Sequence, residues 1–557
     1  MAFLELEKVT FTYPGAAAPA IRELSFSVEE GQLVALTGAT GSGKSTLLRL
    51  LKRELAPRGE RRGVIRLGGA DMESLPPREA AFSVGYVLQR AEEQIVTDKV
   101  WHELCFGLEN MGLPREEIAR RVAETASYFG IESWYELPVC QLSGGQKQLL
   151  NLAAVMAMQP RLLLLDEPTA QLDPIAAADL IATIHRLNRD MGLTVLVIEH
   201  RLEELLPLCH RVIALREGQL LACDAPARAA ALMASDSRLA ESLPSAARLH
   251  HLLGLTGDHP LSVSQGRQLV QRLVDAAPPQ TAGAEAGAAA SPAAAGGAFP
   301  PALELSQVYF RYERTAPDVL RGASLRAAQG EILCLLGGNG SGKSTLLGAA
   351  AGLRRVQHGQ VRIFGKKPSQ YKGQSLYREC VALLPQDVET LFLCDTVGEE
   401  LARTGAAAAD LPFDLPPLLN RHPYDLSGGE KQLLALAMVL AQKPRLLLMD
   451  EPTKGLDAHT KKQYADILKT LRAQGTAIVI VTHDTAFAAR CADRCLLLFR
   501  GQVVAEDVPG AFFGTNLFYT TPISRMTRGL LPGCVTVEDA AALLGGASSA
   551  DRKGAGV

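Results

Sequence analysis

The feature that most restricts the fold of this chain is a glycine-rich stretch, GATGSGKST, which begins at Gly38 and follows a mostly apolar run over residues 32–37. It matches the pattern G-x-x-x-x-G-K-[ST], in which glycines let backbone N–H groups converge on phosphate oxygens and the lysine reaches the outer phosphates. A second stretch, GGNGSGKST, begins at Gly337 behind the apolar residues 332–336. Each predicts a strand, a phosphate-binding loop and a helix, so we expect two phosphate sites.

The length and charge of the chain limit its class. Its 557 residues are too many for one hydrophobic core, so we expect each glycine-rich stretch to lie in its own large half. A net charge of −3 supplies no attraction to nucleic acid, and we expect no nucleic-acid partner. No run approaches about 20 apolar residues without charge, so we expect no membrane span of its own. The start, MAFLELEKVT, lacks a secretory signal pattern.

The ten cysteines include no C-x-x-C pair, so the sequence predicts reduced thiols and no metal cluster. Cys491 and Cys495, the two nearest in sequence, have the spacing of neighbours on one helix face. Two small buried side chains are the favoured interpretation of that spacing. We therefore expect both to be packing residues.

One order of motifs occurs in both halves. A tyrosine stands 25 positions before each glycine-rich stretch, and a glutamine follows an apolar run further along. Then come Leu-Ser-Gly-Gly, an apolar run ending in Asp-Glu, a Leu-Asp pair and an apolar run ending in His. In the first half the candidate residues are Tyr13, Gly38, Gly41, Ser42, Gly43, Lys44, Ser45, Thr46, Gln89, Ser143, Gly144, Gly145, Gln146, Asp166, Glu167, Asp173 and His200. In the second half they are Tyr312, Gly337, Gly340, Ser341, Gly342, Lys343, Ser344, Thr345, Gln386, Ser427, Gly428, Gly429, Glu430, Asp450, Glu451, Asp457 and His483.

The residue types indicate what these motifs do. A fully apolar strand that ends in two acids is typical of a central parallel strand, whose carboxyl end is where ligands bind. A glutamine at such an end either ligates a metal ion or is only solvated, and the tyrosine either stacks on a base or pairs across a sheet. Leu-Ser-Gly-Gly at a helix start is a weak anion-site signal by itself, because serine caps many helices.

In this order the motifs resemble the nucleotide-binding subunits of ATP-binding-cassette (ABC) proteins, over residues 1–230 and 303–510. The resemblance implies an α/β fold with two tandem P-loop NTPase domains, each with a RecA-like parallel sheet, an antiparallel β portion and an inserted helical subdomain. It implies ATP and Mg²⁺ as cofactors. The metal ligands that it implies are Ser45, Gln89, Asp166, Ser344, Gln386 and Asp450. The catalytic residues that it implies are Glu167 and Glu451, which activate water, and His200 and His483, which contact the γ-phosphate.

In the family, each ATP lies between the glycine-rich loop of one cassette and the Leu-Ser-Gly-Gly of another, so we expect the two halves of this chain to pair. Between them, residues 276–302 are rich in Ala, Gly and Pro, which is typical of a linker. We therefore expect a first nucleotide-binding domain with a C-terminal extension (1–275), this linker (276–302) and a second nucleotide-binding domain (303–520). Residues 521–557 are expected to form a C-terminal extension that ends in a disordered tail.

Residues 89–112 resemble more narrowly the ATPases of energy-coupling-factor (ECF) importers. Gln94, Val100, Glu103 and the run 106–110 carry that group's pattern, whereas the second half lacks the run and has 41 positions from Gln386 to its Leu-Ser-Gly-Gly serine, against 54 in the first half. The resemblance implies a transmembrane coupling subunit and a substrate-binding membrane subunit as partners, and a vitamin, vitamin precursor or metal ion as cargo. It implies a peripheral location at the cytoplasmic face of the cell membrane.

The partner is expected to dock on apolar residues of this segment, although the core of the helical subdomain is the favoured interpretation for Leu104. The residues considered are Ile95, Val96, Val100, Trp101, Leu104 and Phe106. The alternative function is that of a soluble two-cassette translation factor acting on ribosomes. Such factors usually have a long, charged, helical linker, whereas Glu285 is the single charged residue of residues 276–302.

Overall fold

The computed structural model describes residues 2–16, 18–276, 301–372, 375–405 and 418–545. The chain forms two compact units, one of Met1–His251 with Gly257–Ser262 and one of Leu252–Thr256 with Val263–Val557. Residues 277–300 of the expected linker and the expected tail, 546–557, lie outside the described residues. Within the described segments, no helix has the length and apolar character needed to cross a lipid bilayer.

The first unit alternates strands and helices. Its strands are β1 (Ala2–Thr12), β2 (Ile21–Glu29), β3 (Leu33–Gly38), β4 (Glu60–Leu67), β5 (Ala70–Asp71), β6 (Val84–Val87), β7 (Leu162–Asp166), β8 (Thr194–Ile198), β9 (Arg211–Arg216) and β10 (Gln219–Asp224). Its helices are α1 (Lys44–Leu50), α2 (Pro77–Ser83), α3 (Ala91–Gln94), α4 (Val100–Asn110), α5 (Arg115–Phe129), α6 (Gly144–Ala157), α7 (Pro174–Met191), α8 (Leu202–Leu205), α9 (Pro226–Ala234), α10 (Ser237–Ala240) and α11 (Ser245–Leu252).

The strands of this unit form two sheets. One is antiparallel, in the order β2-β1-β4-β5, and the other has the order β10-β9-β3-β8-β7-β6 and is parallel except for the β9–β10 pair. Every residue of β3, β7 and β8 is buried, as expected for parallel strands covered on both faces. Their carboxyl ends share one edge of the sheet, which brings the first glycine-rich loop, Asp166 and His200 to the same edge.

The helical insertion predicted between Gln89 and Ser143 consists mainly of α3, α4 and α5. The apolar faces of α4 and α5 pack with α6 in the hydrophobic core below the parallel sheet. Since α6 begins at the Leu-Ser-Gly-Gly stretch, this packing joins the insertion to the body of the unit.

The second unit repeats this plan. Its strands are β11 (Leu303–Phe310), β12 (Leu320–Ala327), β13 (Ile332–Leu336), β14 (His358–Ile363), β15 (Val381–Leu384), β16 (Leu446–Asp450), β17 (Ala477–Val481), β18 (Arg494–Phe499) and β19 (Gln502–Asp507). Its α-helices are α12 (Val263–Ala276), α13 (Lys343–Ala350), α14 (Val397–Thr404), α15 (Gly428–Leu440), α16 (Ala458–Ala473), α17 (Thr485–Cys491), α18 (Pro509–Thr515), α19 (Pro522–Thr527) and α20 (Val537–Gly545).

The sheets of the second unit have the orders β12-β11-β14, which is antiparallel, and β15-β16-β17-β13-β18-β19, which is parallel except for its last pair. The predicted α/β class, with an antiparallel portion and a mostly parallel sheet in each half, is therefore confirmed. Helix α12 precedes the expected linker in sequence but packs on α19 within this unit. There, Arg267 donates to the carbonyl oxygen of Arg528 at 2.8 Å.

Cys491 and Cys495 do not share a helix face, although their spacing allows it. Helix α17 ends at Cys491, because Ala492 is extended, and Cys495 lies in β18, in register with Cys334 of β13. All three thiols are buried, so the expectation that they are packing residues fits their surroundings.

Candidate functional site

Both glycine-rich loops depend on glycine at the residue before the lysine. The backbone φ is 95° at Gly43 and 101° at Gly342, in the left-handed region that side chains disfavour. A Cβ at Gly43 would also lie 2.6 Å from the carbonyl oxygen of Ala20, and one at Gly342 would lie 3.1 Å from that of Val319. Glycine therefore lets each loop turn tightly into α1 or α13.

The lysine of each loop folds back onto the loop itself. Lys44 Nζ donates to the carbonyl oxygens of Gly38 at 2.8 Å and Ala39 at 3.0 Å. Lys343 Nζ makes the same two contacts in the second unit, at 2.9 and 3.0 Å. Both lysines are buried, so their charges are fixed at the mouth of the loop.

A buried serine in each loop fits a phosphate ligand. Among the described residues, Ser42 Oγ and Ser341 Oγ are buried without a hydrogen-bond partner. Leaving such a hydroxyl unsatisfied costs about 1–3 kcal/mol, and a phosphate oxygen would remove that cost. The loop lysine and the helix N-terminus supply the positive charge that phosphate requires.

The aspartates at the ends of β7 and β16 are the candidate metal carboxylates. Asp166 Oδ1 accepts a hydrogen bond from Ser45 Oγ at 3.1 Å, so two of the predicted metal ligands of the first unit are in contact. Burial raises the pKa of Asp166 and the pKa of Asp450. Hydrogen bonding opposes this rise, from Ser45 at Asp166 and from Ser344 at Asp450. Among the described residues, Asp450 Oδ1 is buried without a partner, which suits an oxygen that faces a hydrated cation.

The glutamate that follows each aspartate contacts the predicted histidine. Glu167 Oε1 lies 2.9 Å from His200 Nε2, and Glu451 Oε2 lies 2.9 Å from His483 Nδ1. Gln89 Nε2 donates to the other oxygen of Glu167 at 2.8 Å, which joins three predicted site residues in one cluster. The structure describes no corresponding bond between the side chains of Gln386 and Glu451.

Both glutamates have an unusual backbone conformation. The angle φ is 48° at Glu167 and 50° at Glu451. Non-glycine residues rarely adopt this left-handed region, and when they do the position is often part of a functional site. The backbone N–H of Glu167 donates to the carbonyl oxygen of Ile198 at the end of β8, and that of Glu451 donates to the carbonyl oxygen of Val481 at the end of β17. These bonds fix the turn after each aspartate.

The tyrosine ahead of each loop contacts the first turn of the following helix. The Tyr13 hydroxyl lies 3.0 Å from Thr46 Oγ1, and the Tyr312 hydroxyl lies 3.0 Å from Thr345 Oγ1. The guanidinium of Arg354 also lies over the Tyr312 ring, 4.7 Å from its centre. Stacking of a base on these rings stays a prediction.

The Ser-Gly-Gly and Leu-Asp motifs both act as helix caps. Ser143 and Gln146 form reciprocal hydrogen bonds at the start of α6, and Ser427 and Glu430 do so at the start of α15. Asp173 caps α7 and, in the second unit, Asp457 likewise caps α16. A nucleotide-binding role for these motifs stays a prediction.

The segment after each glutamine presents one exposed apolar side chain. Val96 is 65% exposed and Leu393 is 76% exposed, and each stands seven positions after its glutamine. The docking role expected of Val100 is wrong, and the favoured core interpretation of Leu104 is confirmed, because both are fully buried in the core of the first unit. Helical spacing places these two on the same inward face of α4.

A buried glutamate in each unit, to which the sequence analysis gave no structural role, fixes the backbone at these exposed side chains. Glu103 Oε2 accepts hydrogen bonds from the backbone N–H groups of Val96 at 3.1 Å and Thr97 at 2.9 Å. Glu400 accepts bonds from the backbone N–H groups of Leu393 and, at 2.6 Å, Cys394. Each glutamate stands 14 positions after its glutamine, which is the signal that would have revealed the pair.

Comparisons with known proteins identify similar chains. The ABC transporter family profile matches residues 21–170 and 320–454. A provisionally named ABC transporter ATP-binding protein of Bacillus cereus is 38% identical over 550 residues, which cover 97% of each chain. Similarly named proteins of Streptomyces coelicolor and Methanosarcina acetivorans are 37% and 30% identical, over 90% and 95% of this chain and 93% and 88% of theirs. A similar solved structure is described as cbiO1 from Clostridium perfringens, part of the ABC transporter complex cbiONQ. It is 27% identical in sequence, and the match covers 41% of this chain and 91% of that chain, with a TM-score of 0.39.

The two matched segments coincide with the sites described above. Each contains a complete glycine-rich loop and the Asp-Glu pair of the same unit. The relative from Bacillus cereus matches through both halves, so the duplication is shared with it. The chain therefore belongs to the ABC transporter ATP-binding protein family and carries two ABC cassettes.

Proposed function

We propose that both units bind ATP with Mg²⁺ and hydrolyse its terminal phosphate. The observation that carries this proposal is the 2.9 Å contact between a glutamate and a histidine, which occurs in both units at the carboxyl edge of the parallel sheet. The buried lysine and the unpartnered serine hydroxyl of each loop support it, because together they suit phosphate oxygens.

The side chains have separate tasks in this reaction. When bound, Mg²⁺ neutralises charge on the terminal phosphates. Lys44 gives up its loop carbonyls for phosphate oxygens and balances the negative charge that develops there. Glu167 orients the attacking water and accepts its proton, while His200 and Gln89 each hold one oxygen of that carboxylate.

The test is the pair of changes Glu167→Gln and Glu451→Gln in the full chain. Because glutamine keeps the shape but cannot accept the proton, we expect ATP binding to persist and turnover to fall by at least about 10²-fold. Glu109→Gln, on the surface of α4, is the matched control and should leave turnover unchanged. Undiminished hydrolysis by the double variant would refute the assignment of both glutamates.

We further infer that the chain energises an importer of the ECF type, bound to a transmembrane coupling subunit and a substrate-binding membrane subunit. The supporting observation is the exposed apolar side chain on the segment after each glutamine, Val96 or Leu393. Gln89 on the same segment touches Glu167, so a change at the γ-phosphate can reach this surface. An apolar surface of this kind suits a cytoplasmic helix of a membrane subunit. The proposed cargo is a vitamin, a vitamin precursor or a metal ion, and the proposed location is the cytoplasmic face of the membrane.

Charge at these two positions tests the docking surface. The double variant Val96→Glu with Leu393→Glu should lose co-purification with membrane subunits several-fold and keep its basal ATP hydrolysis. Met191→Glu is the matched control, because Met191 is 54% exposed and lies at the end of α7, close to the start of β8 and away from the glutamines. Unchanged co-purification would refute this surface, and sedimentation with ribosomes instead of membranes would support the translation-factor alternative.

We also propose that the two cassettes pair within one chain, each glycine-rich loop being completed by the Leu-Ser-Gly-Gly of the other half. Cysteines introduced beside Ser42 and Ser427, with the exposed Cys140 replaced, should cross-link within a chain when ATP is bound and hydrolysis is blocked. Products that are only intermolecular in dilute solution would contradict this pairing.

A further inference from the structure

The candidate metal carboxylate is held differently in the two units. In the first unit, both oxygens of Asp166 accept hydrogen bonds, Oδ1 from Ser45 at 3.1 Å and Oδ2 from the Tyr86 hydroxyl at 3.0 Å. In the second unit, Oδ1 of Asp450 is buried and has no hydrogen-bond partner among the described residues. The two carboxylates therefore differ in their hydrogen bonding, although both follow an apolar strand and precede a glutamate.

One change in a strand accounts for the missing donor. Tyr86 is buried in β6, in register with Leu164, two residues before Asp166. The corresponding residue of the second unit is Leu383 in β15, in register with Leu448, two residues before its aspartate. Both stand three positions before the glutamine of their half, so the positions are equivalent. Leucine has no hydroxyl to donate.

A second change removes the support behind the tyrosine. Burial raises the pKa of Tyr86, and the positive charge of Arg49, five positions after the lysine of the first loop, opposes that rise. The equivalent position in the second unit is Gly348, and Arg354 occupies the space beside it, with Nε 3.0 Å from where a Cβ would lie. Arg354 is directed at the Tyr312 ring, so it does not replace Arg49.

We propose that Tyr86 is a positioning residue that orients Asp166 for Mg²⁺ before the metal binds, and that the second site lacks this arrangement. The inference rests on the proposed function, since it concerns the metal that accompanies ATP. Mg²⁺ requires near-ideal octahedral geometry, so the direction of a carboxylate oxygen matters. Outer partners that orient a metal ligand typically contribute about 10–100-fold to metal affinity. The first site therefore binds the metal more tightly than the second.

The experiment measures Mn²⁺ binding by electron paramagnetic resonance, with ATP and the full chain. Glu167→Gln and Glu451→Gln block hydrolysis, and a further Lys343→Ala or Lys44→Ala change leaves one site to be read alone. Tyr86→Phe should lower the Mn²⁺ affinity of the first site about 10–100-fold and leave that of the second site unchanged.

Two more variants complete the test. Leu383→Tyr should raise the Mn²⁺ affinity of the second site, because it adds a hydroxyl beside Asp450. Tyr128→Phe, which removes a buried hydroxyl on α5 that has no partner in the described structure, should change neither site. An unchanged first site in Tyr86→Phe, or an equal loss at both sites, would overturn the inference.

The remaining outcomes also decide between the two proposals. If Tyr86→Phe unfolds the first unit, as a thermal melt would reveal, Leu383→Tyr becomes the deciding variant, and no gain of affinity at the second site overturns the inference. If the chain that keeps both Tyr86 and Leu383 binds no Mn²⁺ with ATP at either site, the proposed ATPase function is wrong. The inference about Tyr86 is then wrong as well.

Discussion

The strained backbone at the two proposed catalytic glutamates has a measurable cost. The angle φ is 48° at Glu167 and 50° at Glu451, a conformation that costs an L-residue about 1–2 kcal/mol. Glycine avoids that cost but loses about 0.5–1 kcal/mol through its greater backbone entropy when unfolded. The change Glu167→Gly should therefore leave the first unit more stable than Glu167→Ala by roughly 0.75 kcal/mol, the difference between the midpoints of these two ranges.

Thermal unfolding without nucleotide measures this difference. Both variants lose the carboxylate and its contact with His200 and differ only in the Cβ of alanine, so the comparison isolates the backbone conformation. For a unit of this size, about 1 kcal/mol corresponds to about 2–4 °C in Tm, so Glu167→Gly should unfold about 1–4 °C above Glu167→Ala. The control is Ala178→Gly on the exposed face of α7, where glycine should lower Tm. If Glu167→Gly melts at or below Glu167→Ala, the strain argument is refuted.

Two other predictions concern buried or capping carboxylates. Burial alone would raise the pKa of Asp484, but its 2.6 Å ion pair with Lys461 and its hydrogen bond at the start of α17 hold that pKa well below the usual value. The stabilising effect of the ionised Asp484 is therefore present above about pH 4 and is lost as the pH falls. Denaturant unfolding should show that Asp484→Ala lowers the free energy of unfolding by about 1–2 kcal/mol at pH 7 and by less at pH 3. An equal decrease at both pH values would contradict this prediction. Glu103→Ala removes the acceptor of the Val96 and Thr97 backbone amides. It should lower the free energy of unfolding by about 1–3 kcal/mol and speed the hydrogen exchange of these two amides. Unchanged exchange would show that Glu103 does not hold this loop.

The sequence predicted the fold because its strongest signals are local. The apolar runs of the central sheet that carry motifs are short and lead into Gly, Gln, Asp or His, so the sequence indicates both the strand type and the strand end. The glycine pattern then fixes which strand leads into a phosphate-type loop. The predicted contact sets that the structure brings together, such as Gln89, Glu167 and His200, all come from such strand ends.

The residues missed or misassigned depend on packing across the fold. Tyr86 was not singled out because a tyrosine in a strand usually means sheet packing, and its hydroxyl finds Asp166 only once β6 and β7 pair in register. The docking role expected of Val100 rests on a motif, whereas its four-residue spacing from Leu104 on one helix predicts a shared buried face. The spacing of Cys491 and Cys495 suits one helix, but α17 ends at Cys491 and Cys495 lies in β18.

The two cassettes share the predicted motif residues except Gln146, which corresponds to Glu430, yet the shared residues have different supports. Glu167 is held at both oxygens, by Gln89 and His200, whereas in the described structure Glu451 is held by His483 and not by the side chain of Gln386. A group fixed by neighbours before its ligand arrives needs less reorganisation than one that must be oriented on binding. Differences between the two sites therefore also originate outside the motifs, at positions such as Tyr86 in β6 and Leu383 in β15.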